Sequence, residues 1–173
     1  MNQNLTKIKK IKLLLSDVDG VLTDGGMYYS NSGEFLKKFN TRDAFGIEIL
    51  EKFGIPTILI TRENSIIVKK RAAKIKVKEL FSGIMEKEKL LEKISKKYNL
   101  NFSEIAYIGD DLNDLKIIKK IGFSASPNDA VNYVRKNVDY ICKCNGGNGA
   151  LREFIDYIIL KKGFSLDDII NNL

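Results

Sequence analysis

The chain has 173 residues, 44% of them hydrophobic, which is one domain's length with enough apolar material for a proper core. It carries 29 Lys and Arg against 22 Asp and Glu, a formal charge of +7, and no histidine at all. That absence excludes histidine general bases, histidine-containing triads and histidine metal sites, and leaves a hard cation on oxygen ligands, Mg²⁺ foremost, as the expected metal chemistry.

The basic excess does not point to nucleic acid. Lysines alternate with acids, as in Glu86-Lys87-Glu88-Lys89, the pattern of a solvated helix face, and no aromatic-interleaved basic stripe appears. No apolar run approaches the length of about 18 residues that a membrane span needs. The polar first ten residues lead into no signal-peptide core, so a cytoplasmic chain is expected. Cys142 and Cys144 alone imply neither a disulfide framework nor a zinc site.

In chain order, a buried parallel strand is expected at 11–15, an aliphatic run that leads into Asp17-Val18-Asp19-Gly20. A hairpin follows at 26–39 around Ser30-Asn31-Ser32-Gly33. Its Tyr28, Tyr29, Phe35 and Phe39 are more aromatic surface than a lone hairpin buries, which predicts packing on another subunit. Helices are then expected at 44–53, 65–75, 86–98, 114–121, 130–136 and 149–161, the last followed by a tail to 173. Strands between them are expected at 57–60, 79–81, 105–108, 122–125 and 140–142. This alternation predicts a single domain with a doubly wound, mainly parallel sheet and helices on both faces.

Chemistry gathers at the carboxyl ends of these strands, where open α/β sheets bind ligands. Strand alternation predicts that Asp17 and Asp19 share a face, where two anions repel unless a cation or a proton intervenes. Asp-x-Asp-Gly does not begin a calcium loop, because Val21, Leu22 and Tyr28 occupy the positions such a loop needs for ligands and Gly. The pair instead suggests a metal-assisted carboxylate nucleophile with an acid/base neighbour. Thr61 ends the second strand as a hydrogen-bond donor for a phosphoryl oxygen or as a helix cap. Lys87 stands near a helix start, where the dipole disfavours a cation, which hints at a ligand-facing role. Asp110, Asp111 and Asp114 beside Gly109 suit a Mg²⁺ site, though some of them can cap the next helix. The glycines of 146–149 either serve backbone geometry or leave N–H groups for an anion.

Taken in order, Asp-x-Asp, Thr, Lys and Gly-Asp-Asp-x-x-Asp resemble the four motifs of the haloacid-dehalogenase superfamily. Receiver domains use similar groups, but their acidic pair precedes the phosphorylated Asp, the reverse of the order here. Segments 17–25, 39–47, 110–114 and 146–154 look like the 3-deoxy-D-manno-octulosonate 8-phosphate phosphatase family, whose sister enzymes dephosphorylate nine-carbon keto-acids. The resemblance runs from about residue 9 to 162. It implies a Rossmann-like capless fold, a Mg²⁺ cofactor, a small sugar-acid phosphate as substrate, and a homotetramer whose hairpins help close neighbouring sites.

By the same resemblance, Asp17 is the nucleophile that forms an aspartyl-phosphate and Asp19 the acid/base. Asp17, Asp110 and the backbone carbonyl of Asp19 hold Mg²⁺, while Thr61 and Lys87 position phosphoryl oxygens. Asp111 and Asp114 orient Lys87 and the metal's waters from behind. The alternative is a catalytically idle phosphatase-like domain like the one appended to some acylneuraminate cytidylyltransferases, which segment 141–147 also resembles. In that domain the fourth-motif acids are eroded; here the set is complete.

The expected substrate contacts are Asn40, Thr41, Arg42, Asp43, Glu63, Arg71 and Lys74. Two positions depart from the octulosonate pattern: Thr61-Arg62-Glu63 stands where the family has Thr-Gly-Arg, and Glu48 replaces a second Arg. The 2-keto-3-deoxynononate 9-phosphate phosphatases carry Glu and Lys where this chain has Glu63 and Lys74. Because that change reverses local charge, the expectation leans to a nine-carbon keto-acid 9-phosphate, the other reading being a surface ion pair of Glu63 and Lys74.

Overall fold

A computed structural model describes residues 3–171; residues 1–2 and 172–173 of the expected single unit lie outside them. The elements are α1 (Gln3–Lys9), β1 (Leu13–Ser16), β2 (Tyr28–Ser30), β3 (Gly33–Leu36), α2 (Thr41–Lys52), β4 (Thr57–Ile60), α3 (Ile66–Lys74) and β5 (Glu79–Phe81). Then come α4 (Leu90–Tyr98), β6 (Ile105–Ile108), α5 (Leu115–Ile118), β7 (Phe123–Ser126), α6 (Asn132–Arg135), β8 (Tyr140–Ile141), α7 (Ala150–Lys162) and α8 (Leu166–Asn171). Six strands form a parallel sheet in the order β5-β4-β1-β6-β7-β8. The chain thus winds outward on one side of β1 and then on the other, which puts the topological switch beside β1.

Alternation along β1 explains the layering. Leu14 belongs to a core with Ile47, Leu50, Val68, Phe154 and Ile158, so α2, α3 and α7 cover that face together with Ile8 of α1. Leu13 and Leu15 belong to the other core, with Leu91, Ile94, Ile117 and Val134 of α4, α5 and α6. Central strands buried on both faces read as unbroken aliphatic runs, and the expected bounds of β4, β5 and β6 match the structure.

Differences occur at the element ends. β1 begins at Leu13, where pairing with Ile105 starts, and runs on through Ser16, so Asp17 and Asp19 lie beyond the paired strand. Strand alternation therefore does not set their directions. The sequence reading missed α1, where Ile8 alone among the side chains described is fully buried, too little for a helical period. The expected helix at 86–98 opens as a 3-10 turn over Lys87–Lys89 before α4.

The hairpin forms as expected, turning at Asn31-Ser32, and its base is closed by an antiparallel bridge between Thr23 and Phe39. Tyr29 and Phe35 at its arms are 64% and 67% exposed.

Candidate active site

Asp17, Asp19, Thr61, Glu63, Asp110 and Asp111 line a cleft of ≈ 380 Å³ at the carboxyl edge of the sheet, beside the switch point. β1, β4 and β6 deliver them, since each strand ends one to three residues before its polar groups. Lys87 lies behind the cleft with its side chain 1% exposed. Its ammonium is 2.6 Å from Asp17 Oδ2 and 2.7 Å from Asp114 Oδ1, and it also donates to the Tyr107 hydroxyl at 3.3 Å. Burial acts to discharge this lysine, but Asp17 and Asp114 outweigh it and raise its pKa.

Asp114 is a fully buried bracket. Its Oδ1 accepts from Lys87 and from the Tyr107 hydroxyl at 2.6 Å, and its Oδ2 accepts from the backbone N–H of Asp110 at 2.9 Å and of Asp111 at 3.3 Å. Four donors fill the two oxygens. Burial and the neighbouring carboxylates push the Tyr107 phenol well above its usual range, so it remains a donor.

Asp17, Asp110 and Asp114 bring carboxylate oxygens within 4.8 Å of one another. Burial, then the Asp114 charge, pushes Asp17 up to about 7 despite Lys87. Burial, then the Asp17 and Asp114 charges, pushes Asp110 up to about 8. Among the described residues no hydrogen-bond donor reaches the Asp110 carboxylate. With Asp114 saturated, Asp17 and Asp110 offer acceptor-only oxygens that repel each other at an open cleft, a donor set that fits a hard divalent cation.

Asp19 takes different partners from Asp17. Its Oδ1 is 2.6 Å from the ammonium of Lys37, and its Oδ2 accepts from the Thr61 hydroxyl at 3.2 Å. Nothing in the sequence singles out Lys37, which falls within the expected hairpin at 26–39. Thr61 is not a helix cap: Ser65 caps α3, accepting from Val68 N–H. Asp111 does not reach Lys87; its carboxylate accepts from Leu112 N–H at 2.7 Å and caps the following turn.

The expected substrate contacts do not gather at the cleft. Glu63 alone of the seven lines it. Asn40 caps α2 by accepting from Arg42 N–H, and Arg71 donates to the Asn40 carbonyl while its guanidinium sits 5.4 Å over the Phe39 ring. Asp43 is buried under α7, accepting from Arg152 N–H at 2.9 Å, and burial raises it to about 6. Thr41, Arg71, Lys74 and Glu48 line a separate groove between α2 and α3, and Arg42 lines another with Asn148 and Arg152. Glu63 and Lys74 make no ion pair among the described residues.

Two glycines of 146–149, Gly146 and Gly147, serve geometry. A Cβ at Gly146 would overlap the Gly20 carbonyl, and Gly147 has φ +64°. The N–H of Gly146 donates to Asp129 and that of Gly147 to the Val21 carbonyl, so neither is left for an anion.

An acidic cleft at the switch point of a parallel sheet suits metal-assisted phosphoryl chemistry, and residues 57–154 match the family model of haloacid dehalogenase-like hydrolases. The 3-deoxy-D-manno-octulosonate 8-phosphate phosphatase of Haemophilus influenzae is 38% identical over 159 residues, 92% of this chain and 88% of that protein. The structure of its cobalt-bound form superposes with a TM-score of 0.90 at 36% identity, covering 95% of this chain and 99% of that one. The Moraxella catarrhalis phosphatase of the same name, in complex with magnesium, phosphate and the octulosonate, superposes with a TM-score of 0.93 at 36% identity, covering 99% and 98%. The chain belongs to the 3-deoxy-D-manno-octulosonate 8-phosphate phosphatase family of the haloacid dehalogenase-like hydrolases. It is a phosphoric monoester hydrolase.

Proposed function

We propose that the chain hydrolyses 3-deoxy-D-manno-octulosonate 8-phosphate in two steps with Mg²⁺ as cofactor. The observation that carries the chemistry is the split environment of the two cleft aspartates: Asp17 bound to Lys87, Asp19 held apart on Lys37 and Thr61. Asp17, steered by Lys87 and by Val18 N–H at 2.7 Å, attacks phosphorus to form an aspartyl-phosphate. Asp19 protonates the departing sugar oxygen, then takes the proton of the water that cleaves the intermediate. Thr61 and Lys87 hold phosphoryl oxygens in line, while Asp114 and Tyr107 keep the lysine ammonium pointed at Asp17. Asp17, Asp110 and the backbone carbonyl of Asp19 would hold Mg²⁺, which neutralises phosphoryl charge when bound. The complex of the Moraxella relative with magnesium, phosphate and the octulosonate supports cofactor and substrate alike.

A nine-carbon keto-acid 9-phosphate is the second reading, favoured by Glu63 at the cleft wall, where a carboxylate accepts from sugar hydroxyls. The exposed hairpin aromatics support a homotetramer, and the two free thiols suit a reducing cytoplasm.

Phosphate release from the eight- and nine-carbon substrates, with Mg²⁺ and with EDTA, tests this reading. Mg²⁺-dependent release that Asp17→Asn abolishes is the expected result, with kcat/KM higher for the octulosonate 8-phosphate. A tenfold preference for the nine-carbon substrate moves the assignment to the second reading. Release from neither substrate overturns both substrate readings.

A further inference from the structure

Lys37 lies between the hairpin and α2, yet its side chain is only 1% exposed. Its ammonium is clamped between Asp19 Oδ1 at 2.6 Å and Glu34 Oε1 at 3.1 Å, with Met27 Sδ at 3.6 Å. Glu34 in turn accepts from the hydroxyl of Ser65, the residue that caps α3. A chain of polar contacts therefore runs from α3 through the hairpin to the carboxylate of Asp19.

Burying an ammonium between two carboxylates is a poor way to stabilise a hairpin, because desolvation offsets most of the attraction. An arm of Tyr or Thr would serve packing better. What the burial does provide is direction. Asp19 is gripped at both oxygens, at Oδ1 by Lys37 and at Oδ2 by the Thr61 hydroxyl. When a phosphoryl oxygen engages that hydroxyl, Oδ2 loses its donor and becomes free to carry the proton. Lys37 is then the anchor that remains.

We propose that Lys37, backed by Glu34 and Ser65, is the positioning residue for Asp19, so that the hairpin sets the geometry of proton transfer within its own subunit. The bond from phosphorus to the sugar oxygen breaks while the Asp19 proton passes to that oxygen. In the second step water gives a proton back to Asp19 as its oxygen bonds to phosphorus and the bond from phosphorus to the Asp17 oxygen breaks, which frees the Asp17 carboxylate and phosphate; Lys37 keeps its own protons throughout. The proposal rests on the reading of Asp19 as acid/base.

The test compares kcat/KM, which reports the steps up to departure of the first leaving group, for two substrates. The octulosonate 8-phosphate releases an alcohol that must be protonated, whereas p-nitrophenyl phosphate releases a phenolate that need not be. Lys37→Met is expected to lower kcat/KM about 30-fold for the sugar phosphate and by no more than about threefold for p-nitrophenyl phosphate, a part of the 10²–10⁴-fold that a positioned acid supplies. Lys37→Arg should restore most of the sugar-phosphate rate. Glu34→Gln, which leaves Lys37 in place but loosens it, should give the same selective loss on a smaller scale, and it carries the test if Lys37→Met does not fold.

Equal losses on both substrates, or no loss on either, overturn the proposal. Asp19→Asn in parallel separates the two levels of inference. If it loses sugar-phosphate turnover selectively while the Lys37 and Glu34 variants do not, only the positioning role fails. If it loses no selectivity, the acid/base reading of Asp19 itself fails.

Discussion

Replacing Lys87 by Met removes the one ammonium that touches both Asp17 and Asp114, at 2.6 and 2.7 Å, from a site where the lysine is 1% exposed. Breaking a buried ion pair from one side costs about 3–5 kcal/mol when the charge left behind stays ionised. Here it need not stay ionised. Burial, with the Asp114 charge, already pushes Asp17 up to about 7, and burial, with the Asp17 and Asp114 charges, pushes Asp110 up to about 8. Without Lys87 both move higher, so at pH 7.5 one of them takes a proton and the loss settles near the lower end, about 3 kcal/mol. In a chain of this size 1 kcal/mol moves Tm by about 2–4 °C, so the metal-free variant should melt about 6–12 °C below wild type in EDTA.

The pH dependence has a definite sign. A carboxylate whose pKa is raised on folding costs stability in full above that pKa; the cost shrinks as pH falls through it and is gone only below the unfolded pKa of about 4. The deficit of Lys87→Met should therefore shrink by half or more between pH 8 and pH 5.5. Saturating Mg²⁺ at pH 7.5 should raise the variant's Tm more than wild type's, since the cation replaces part of the missing charge. Thermal melts by circular dichroism at three pH values, with EDTA and with Mg²⁺, measure all of this. A deficit under about 2 °C in EDTA, or one that grows on acidification, refutes the reasoning.

Gly20→Ala is expected to raise the Mg²⁺ concentration needed for half-maximal activity at least about tenfold, because its Cβ would overlap the Asp110 carboxylate and φ is +82°. Unchanged Mg²⁺ activation would show that Asp110 does not hold the metal. The double change Tyr29→Ser with Phe35→Ser removes the most exposed aromatics of the hairpin and should shift light-scattering mass from tetramer toward smaller species. A wild-type chain that is already monomeric at micromolar concentration defeats the interface reading.

Local sequence alone determines which runs become strands of the sheet, to within a residue or two at the ends of β1, β7 and β8. Short, largely apolar runs such as Thr57–Ile60 and Ile105–Ile108 are too short for a helix and suit a strand buried on both faces, and the polar groups that follow them emerge at one edge. Asp17, Thr61 and Asp110 are legible for that reason. What periodicity cannot convey is which distant side chains meet.

Lys37 reaches Asp19 across 18 residues because the hairpin folds back on its own base, and nothing in its neighbours marks it as buried. The Asn40–Asp43 segment is motif-rich, yet Asn40 caps α2 and Asp43 packs under α7, while Thr41 and Arg42 line two other grooves. Glu63 and Lys74 look paired along the sequence but line different grooves, since α3 carries Lys74 away from the sheet edge where Glu63 stays. Contacts of this kind depend on strand order and on helix placement over the sheet, and only the tertiary structure decided them.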